Sequence, residues 1–155
     1  MKNDEVSLTL VHPKYVDHCW IDAGRCLKLA TDESYGRYTI FDIYRDIMSG
    51  SQHLWILFRG DNEMILSLTT SFVSYPNKNN LCVMFMGGDS LNGELSWVRY
   101  RDVILGGLEK FAKEHNCDAL ECTGRRGWER LLAPYGWGKV FTVLEKDLRD
   151  PEEKR

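Results

Sequence analysis

The sequence predicts a mixed α/β (α+β) domain, with one central sheet of about six to seven strands flanked by about four helices. Three observations predict it. Apolar residues recur every three or four positions in two N-terminal segments and in a long later one, the spacing of helices with one buried face. Between them lie short runs rich in β-branched and aromatic residues, separated by Gly, Pro, Asn and Asp. The stretch from Cys117 to Leu148 then reads as strand, short helix and strand.

Each element follows from local pattern. Val6 to Val11 alternates as Val-Ser-Leu-Thr-Leu-Val, a first strand that ends near Pro13. From Val16, the positions Val16, Cys19, Trp20, Ala23, Cys26, Leu27 and Ala30 define one face of an amphipathic helix. Thr39 to Met48 forms a second, shorter helix. Thr39 and Asp42 have capping-box spacing, Ile40, Ile43, Tyr44 and Ile47 share a face, and Gly50 supplies the stop. His53 to Arg59 is a compact apolar strand, and Gly60 to Glu63 a tight turn. Met64 to Tyr75 favours an extended chain, Pro76 to Asn80 punctuates it, and Leu81 to Met86 reads as a fully buried strand. Gly87-Gly88-Asp89-Ser90 breaks that strand before a long helix from Glu94 to His115, with Trp97, Ile104, Leu108 and Phe111 inward.

Ala119 to Cys122 is a short strand, followed by a short helix closed at Gly136-Trp137 and a final alternating strand before Leu148. Gly136 is expected in the left-handed conformation, with Trp137 buried behind it. Residues 1–148 make a single domain, and 149–155 (RDPEEKR) a charged, frayed tail.

Composition excludes several functions. With 155 residues, 43% hydrophobic and 28% charged, the chain can bury one core and is too apolar for disorder. A formal charge of −3 argues against a nucleic-acid surface. No apolar run approaches the ~20 residues needed to span a bilayer, and MKNDEVSLTL lacks the continuous apolar region of a secretory signal. The five cysteines form an odd set without a CxxC pair, as in a reduced cytoplasmic protein. His12, His18, His53 and His115 are scattered, and no metal site is expected.

The order strand, two helices, three strands, long helix, strand, short helix, strand resembles the GNAT N-acetyltransferase fold over nearly the whole chain. Leu54-Trp55, Tyr75-Pro76, Gly87-Gly88 and Arg125-Arg126-Gly127-Trp128, in that order, resemble the small GNAT-like proteins of tailed bacteriophages. The resemblance implies that Leu81–Met86 and Ala119–Cys122 splay apart around the pantetheine arm of acetyl-CoA. It also implies that Gly87, Gly88 and Gly93 stand where the family cradles the CoA pyrophosphate with a Gln/Arg-x-x-Gly-x-Gly/Ala loop. Here the spacing differs, and Asp89 and Glu94 bring negative charge towards a dianion. The family's short-helix pattern, Asn-x-x-Ala-x-x-Leu-Tyr-x-x-x-Gly-Phe, aligns on Gly136-Trp137. Leu131 then matches Leu, Arg125 falls on Asn and Trp128 on Ala. Leu132 falls on the tyrosine that protonates the departing thiolate, and leucine has no proton to give.

Glu121 is the candidate catalytic residue: a base taking a proton from an amine, or a solvent-facing strand residue paired with lysine or arginine. Arg125 and Arg126 form an anion- or partner-binding cluster at a helix start, or pair with Glu129 or Glu121. Trp128 and Tyr135 extend that surface, or pack as core and edge. Cys122 is a nucleophile only if a base lies beside it in space.

The expected protein is therefore phage-encoded and GNAT-like, with a degenerate acetyl-CoA site and no bound cofactor. It would be a non-catalytic binding, virion-associated or host-inhibiting protein, in the host cytoplasm or the virion, with a protein rather than nucleic-acid partner and no membrane. The alternative is an acetyl-CoA-dependent N-acetyltransferase acting on a small amine or a protein lysine or N-terminus.

Overall fold

The computed structural model describes residues 5–88, 93–124 and 126–153, with backbone alone for 93–96. The chain divides into two compact units, Met1–Thr123 and Gly124–Arg155. The first contains β1 (Val6–Val11), α1 (Val16–Asp32), α2 (Ile40–Ser49), β2 (His53–Arg59), β3 (Glu63–Tyr75), β4 (Lys78–Gly88), α3 (Gly93–Glu114) and β5 (Ala119–Cys122). Its strands form one five-stranded sheet in the order β1-β2-β3-β4-β5. The first four are antiparallel neighbours and β5 runs parallel to β4, so the sheet is mixed and GNAT-like. Five strands stand where six to seven were expected.

Alternation along β2 divides the unit into layers. Leu54 and Ile56 join Val16, Ala23 and Leu27 of α1 and Ile43 and Ile47 of α2 in one core cluster. Trp55 turns the other way, its ring 4.9 Å from that of Phe111 on α3. Trp97, Tyr100, Ile104 and Leu108 recur at helical spacing and are buried. The start of α2 follows from its cap. Asp42 N–H donates to the Thr39 hydroxyl at 3.3 Å, and Thr39 N–H to the Asp42 carboxylate at 2.8 Å.

The turn between β3 and β4 is tighter than the sequence pattern implies. Tyr75 pairs with Lys78, leaving only Pro76 and Asn77 to reverse the chain, so β4 begins at Lys78 rather than Leu81. A two-residue turn fixes the register of the hairpin as far as the irregularity between Thr69 and Thr70, which places Asn79 and Asn80 in the ladder despite their loop-like composition. At its far end β4 runs to Gly88, opposite Leu66. A β-carbon on Gly87 would lie 1.8 Å from the Cys26 carbonyl oxygen, so α1 packs backbone to backbone on β4 there.

In the second unit, α4 (Arg126–Leu132) continues into a 3-10 turn, Ala133–Tyr135. Gly136 closes that turn in the left-handed conformation, φ +86°, as expected. Trp137 is half-buried rather than fully buried, and its N–H reaches the Leu132 carbonyl at 3.4 Å. The final strand does not form. Lys139–Leu148 has no strand pairing, and Val140, Phe141, Val143, Leu144 and Leu148 are all exposed. Their spacing explains it: 140, 144 and 148 share one parity and 141 and 143 the other, so no strand face collects the apolar residues. In the tail, Arg149 pairs with Asp147 at 3.0 Å and Pro151–Glu153 makes a 3-10 turn. No helix among the described residues is long and apolar enough to cross a membrane.

Candidate functional site

The site builds from the parting of β4 and β5. The two strands pair at four positions, from Asn80↔Ala119 to Val83↔Cys122. Beyond that point β5 ends while β4 continues through Met84 to Gly88. Their near ends are fastened by two hydrogen bonds: Asp118 N–H donates to the Asn79 carbonyl at 2.6 Å, and Asn79 N–H to the Asp118 carboxylate at 2.9 Å.

Glu121 lies opposite Cys82, one residue before the strands part. Among the described residues its carboxylate pairs with neither lysine nor arginine. The Tyr75 hydroxyl donates to it, 2.8 Å from Oε1 and 3.0 Å from Oε2, and Asn80 Nδ2 donates to Oε1 at 3.0 Å. Three strands thus meet on one carboxylate. Asn80 is buried, and its own carbonyl oxygen has no hydrogen-bond partner among the described residues.

The hydrogen bond to Glu121, with some desolvation, raises the Tyr75 phenol above its ordinary value, so Tyr75 stays a donor at neutral pH. Burial first, then the Glu121 charge, pushes the Cys82 thiol up to about 12. Cys122 is exposed as a residue, yet its sulfur is partly desolvated and beside Glu121, which raises that thiol too. Neither cysteine is a thiolate nucleophile at neutral pH. Tyr75 and Asn80 are the site residues that sequence reading missed. Tyr75 stood only as the end of a strand and half of a Tyr-Pro turn, and Asn80 only as loop, and the hairpin register is what brings both to Glu121.

The glycines have separate roles. Gly87 admits the α1 backbone, Gly88 ends β4 opposite Leu66, and Gly93 opens α3. Residues 89–92 and the Glu94 side chain lie outside the described residues, as does Arg125. Arg126 is exposed and makes no ion pair among the described residues. Trp128 is half-buried, and a β-carbon on Gly124 would lie 2.9 Å from its ring, so the indole packs over that glycine. Tyr135 is half-buried at the end of the 3-10 turn. Leu132 is buried. Among the described residues no three His, Cys, Asp or Glu side chains group as metal ligands.

No protein-family model and no curated protein matches the sequence. Solved structures do match its fold. A possible acetyltransferase from Clostridium difficile 630 has a TM-score of 0.63 at 7% identity, covering 94% of this chain and 99% of that one. An aminoglycoside N-acetyltransferase in complex with CoA scores 0.64 at 10% identity, covering 94% and 96%. A predicted acetyltransferase with acetyl-CoA from Clostridium acetobutylicum scores 0.60 at 14% identity, covering 93% and 97%. The likeness extends over nearly the whole chain, and its content is the GNAT-like fold.

Proposed function

We propose that this chain is a phage-encoded GNAT-fold protein that acts as a non-catalytic binding scaffold for a phage or host protein, in the host cytoplasm or the particle. On this reading residues 1–148 form one domain and 149–155 a charged tail. The observation that carries the proposal is the Glu121 carboxylate. A base that abstracts a proton from an amine has to face that amine, whereas the Glu121 carboxylate is turned onto its own sheet, the Tyr75 hydroxyl reaching both oxygens and Asn80 Nδ2 reaching Oε1. Leu132 cannot protonate a leaving thiolate, and Gly87 serves the contact with α1. Arg126, Trp128 and Tyr135, with Arg125, supply a candidate surface for the partner.

A second reading is favoured by the parting of β4 and β5 and by the CoA and acetyl-CoA in structures of similar fold. It is an acetyl-CoA-dependent N-acetyltransferase for a small amine or a protein lysine or N-terminus. Gly87, Gly88 and Gly93 would then lie along the cofactor, with Glu121 as base after exchanging Tyr75 or Asn80 for the amine. A ligand that binds the native state must raise the melting temperature. Millimolar acetyl-CoA should leave the melting temperature nearly unchanged, with no acetyl transfer to polyamines or lysine peptides. Micromolar binding with turnover would establish the second reading in place of the first.

A further inference from the structure

β1 is the outermost strand of the sheet on the side remote from β5, and among the described residues no strand pairs with its far side. Its free backbone groups follow from the register. Gly60 N–H donates to the Glu5 carbonyl at 2.7 Å, and these two residues stand directly opposite one another in the register that pairs Val6 with Arg59. Along an antiparallel ladder, residues that exchange bonds with their opposite number alternate with residues that do not. Ser7, Thr9 and Val11 therefore bond to β2, while Val6, Leu8 and Leu10 turn N–H and C=O to the open side.

Such an edge is a template for another strand, and proteins usually guard it with lysine, proline, a bulge or a cover. Val6–Val11 has no charged residue and no proline, and its register with β2 runs without a bulge. Its sequence is also symmetric in character about Leu8, which is flanked by Ser7 and Thr9 and then by Val6 and Leu10. Leu8 and Leu10, opposite Leu57 and Trp55, lie on the face that α3 covers. Leu8 packs where a β-carbon on Gly107 would come within 2.9 Å of it. Leu10 is 42% exposed, and Val103, one turn before Gly107 on α3, is 39% exposed.

We propose that β1 pairs antiparallel with β1 of a second copy of this chain about a twofold axis through Leu8, joining two five-stranded sheets into one of ten. In that register Leu8 meets Leu8, Val6 meets Leu10 and Ser7 meets Thr9, so apolar pairs fill the α3 face and hydroxyl pairs the other. Only this register lets Val6, Leu8 and Leu10 of each copy all donate and accept across the junction. A slip to either side leaves Val6 or Leu10 beyond the end of the other strand. With no charge from Val6 to Val11, the edge meets its copy without repulsion. One strand edge buries less than the ~800 Å2 per partner of a standard interface, so the dimer is weak and the strip of Val6, Leu8, Leu10 and Val103 supplies its apolar contribution. The two β4–β5 openings lie at the far ends of the joined sheet, independent of the junction.

Sedimentation of the full chain, with amide hydrogen exchange read by NMR, tests the pairing. Between about 10 µM and about 1 mM, the span over which so small an interface associates, the mass should pass from monomer to dimer. Over the same range the Val6, Leu8 and Leu10 amides should gain roughly tenfold protection, while those of Ser7 and Thr9 stay protected throughout. Leu10→Lys places a charge in the junction and should hold the chain monomeric at the upper concentration. Val6→Pro should do the same with the melting temperature of the dilute protein unchanged, because that N–H makes no bond to β2. If Val6→Pro fails to fold, Leu10→Lys and the exchange pattern decide. A monomer at about 1 mM overturns the proposal and leaves the edge to a strand of another protein. A dimer whose Leu8 and Leu10 amides still exchange freely, or one that survives Leu10→Lys, overturns it as well.

Discussion

Gly87 and Glu121 show how differently single residues can be read. Gly87 looks like part of a phosphate loop in sequence, but its missing β-carbon makes room for the Cys26 carbonyl. Gly87→Ala should cost about 3 kcal/mol, because backbone on both sides must separate. Urea unfolding would check this, and a silent Gly87→Ala would remove the packing explanation. Glu121 was legible as a polar residue in an apolar strand, but its partners were not, since Tyr75 is 46 residues away and meets it only through the hairpin register. A phenol bonded to a carboxylate ionises at higher pH, because the neutral form keeps the proton that makes the bond. In an NMR titration Tyr75 should therefore ionise above its ordinary value of 10, and Glu121→Gln should bring it back down. An unchanged titration would mean that the bond is not maintained in solution.

Whole elements were legible where one local signal was enough. The capping box starting at Thr39 and the 3.6-residue periodicity of α1 and α3 located those helices within a few residues. Thr39→Ala should cost about 1 kcal/mol, measured as a lower thermal midpoint with unchanged helix content after folding. Asp42, on the other side of that box, is held below its ordinary value of 3.8 first by the Thr39 backbone N–H and then by the Thr39 hydroxyl. Its contribution is therefore complete above pH 3.8 and is lost as pH falls through the lower folded value. Sequence pattern failed where a segment's fate depends on a partner. Lys139–Leu148 has strand-forming residues, but they do not collect on one face and no ladder takes them up.

At the scale of the molecule, the order of elements and the mixed sheet were legible, while the strand count and the layer that each aromatic joins needed three dimensions. His53 is an example. It was one of four scattered histidines in sequence, and in the structure it lies among Trp55, Thr70, Phe72, Phe111 and His115. The unfolded chain takes up a proton on this histidine near its ordinary 6.5, before the folded protein does. Its contribution is complete above pH 6.5 and declines as pH falls below it, towards the lower folded value. His53→Gln should therefore flatten the fall in urea midpoint between neutral pH and roughly pH 5.5, and an identical slope in both proteins would exclude His53 as its source. The sheet's strict sequential order has a kinetic consequence. β2, β3 and β4 are joined by tight turns, so their long ladders close with little loop entropy and can form early. β1 must wait for two helices and β5 for α3, and β5 is held by only four paired positions. The strand that carries Glu121 is thus the last to be secured and the first to open, which places the candidate site in the least protected part of the sheet.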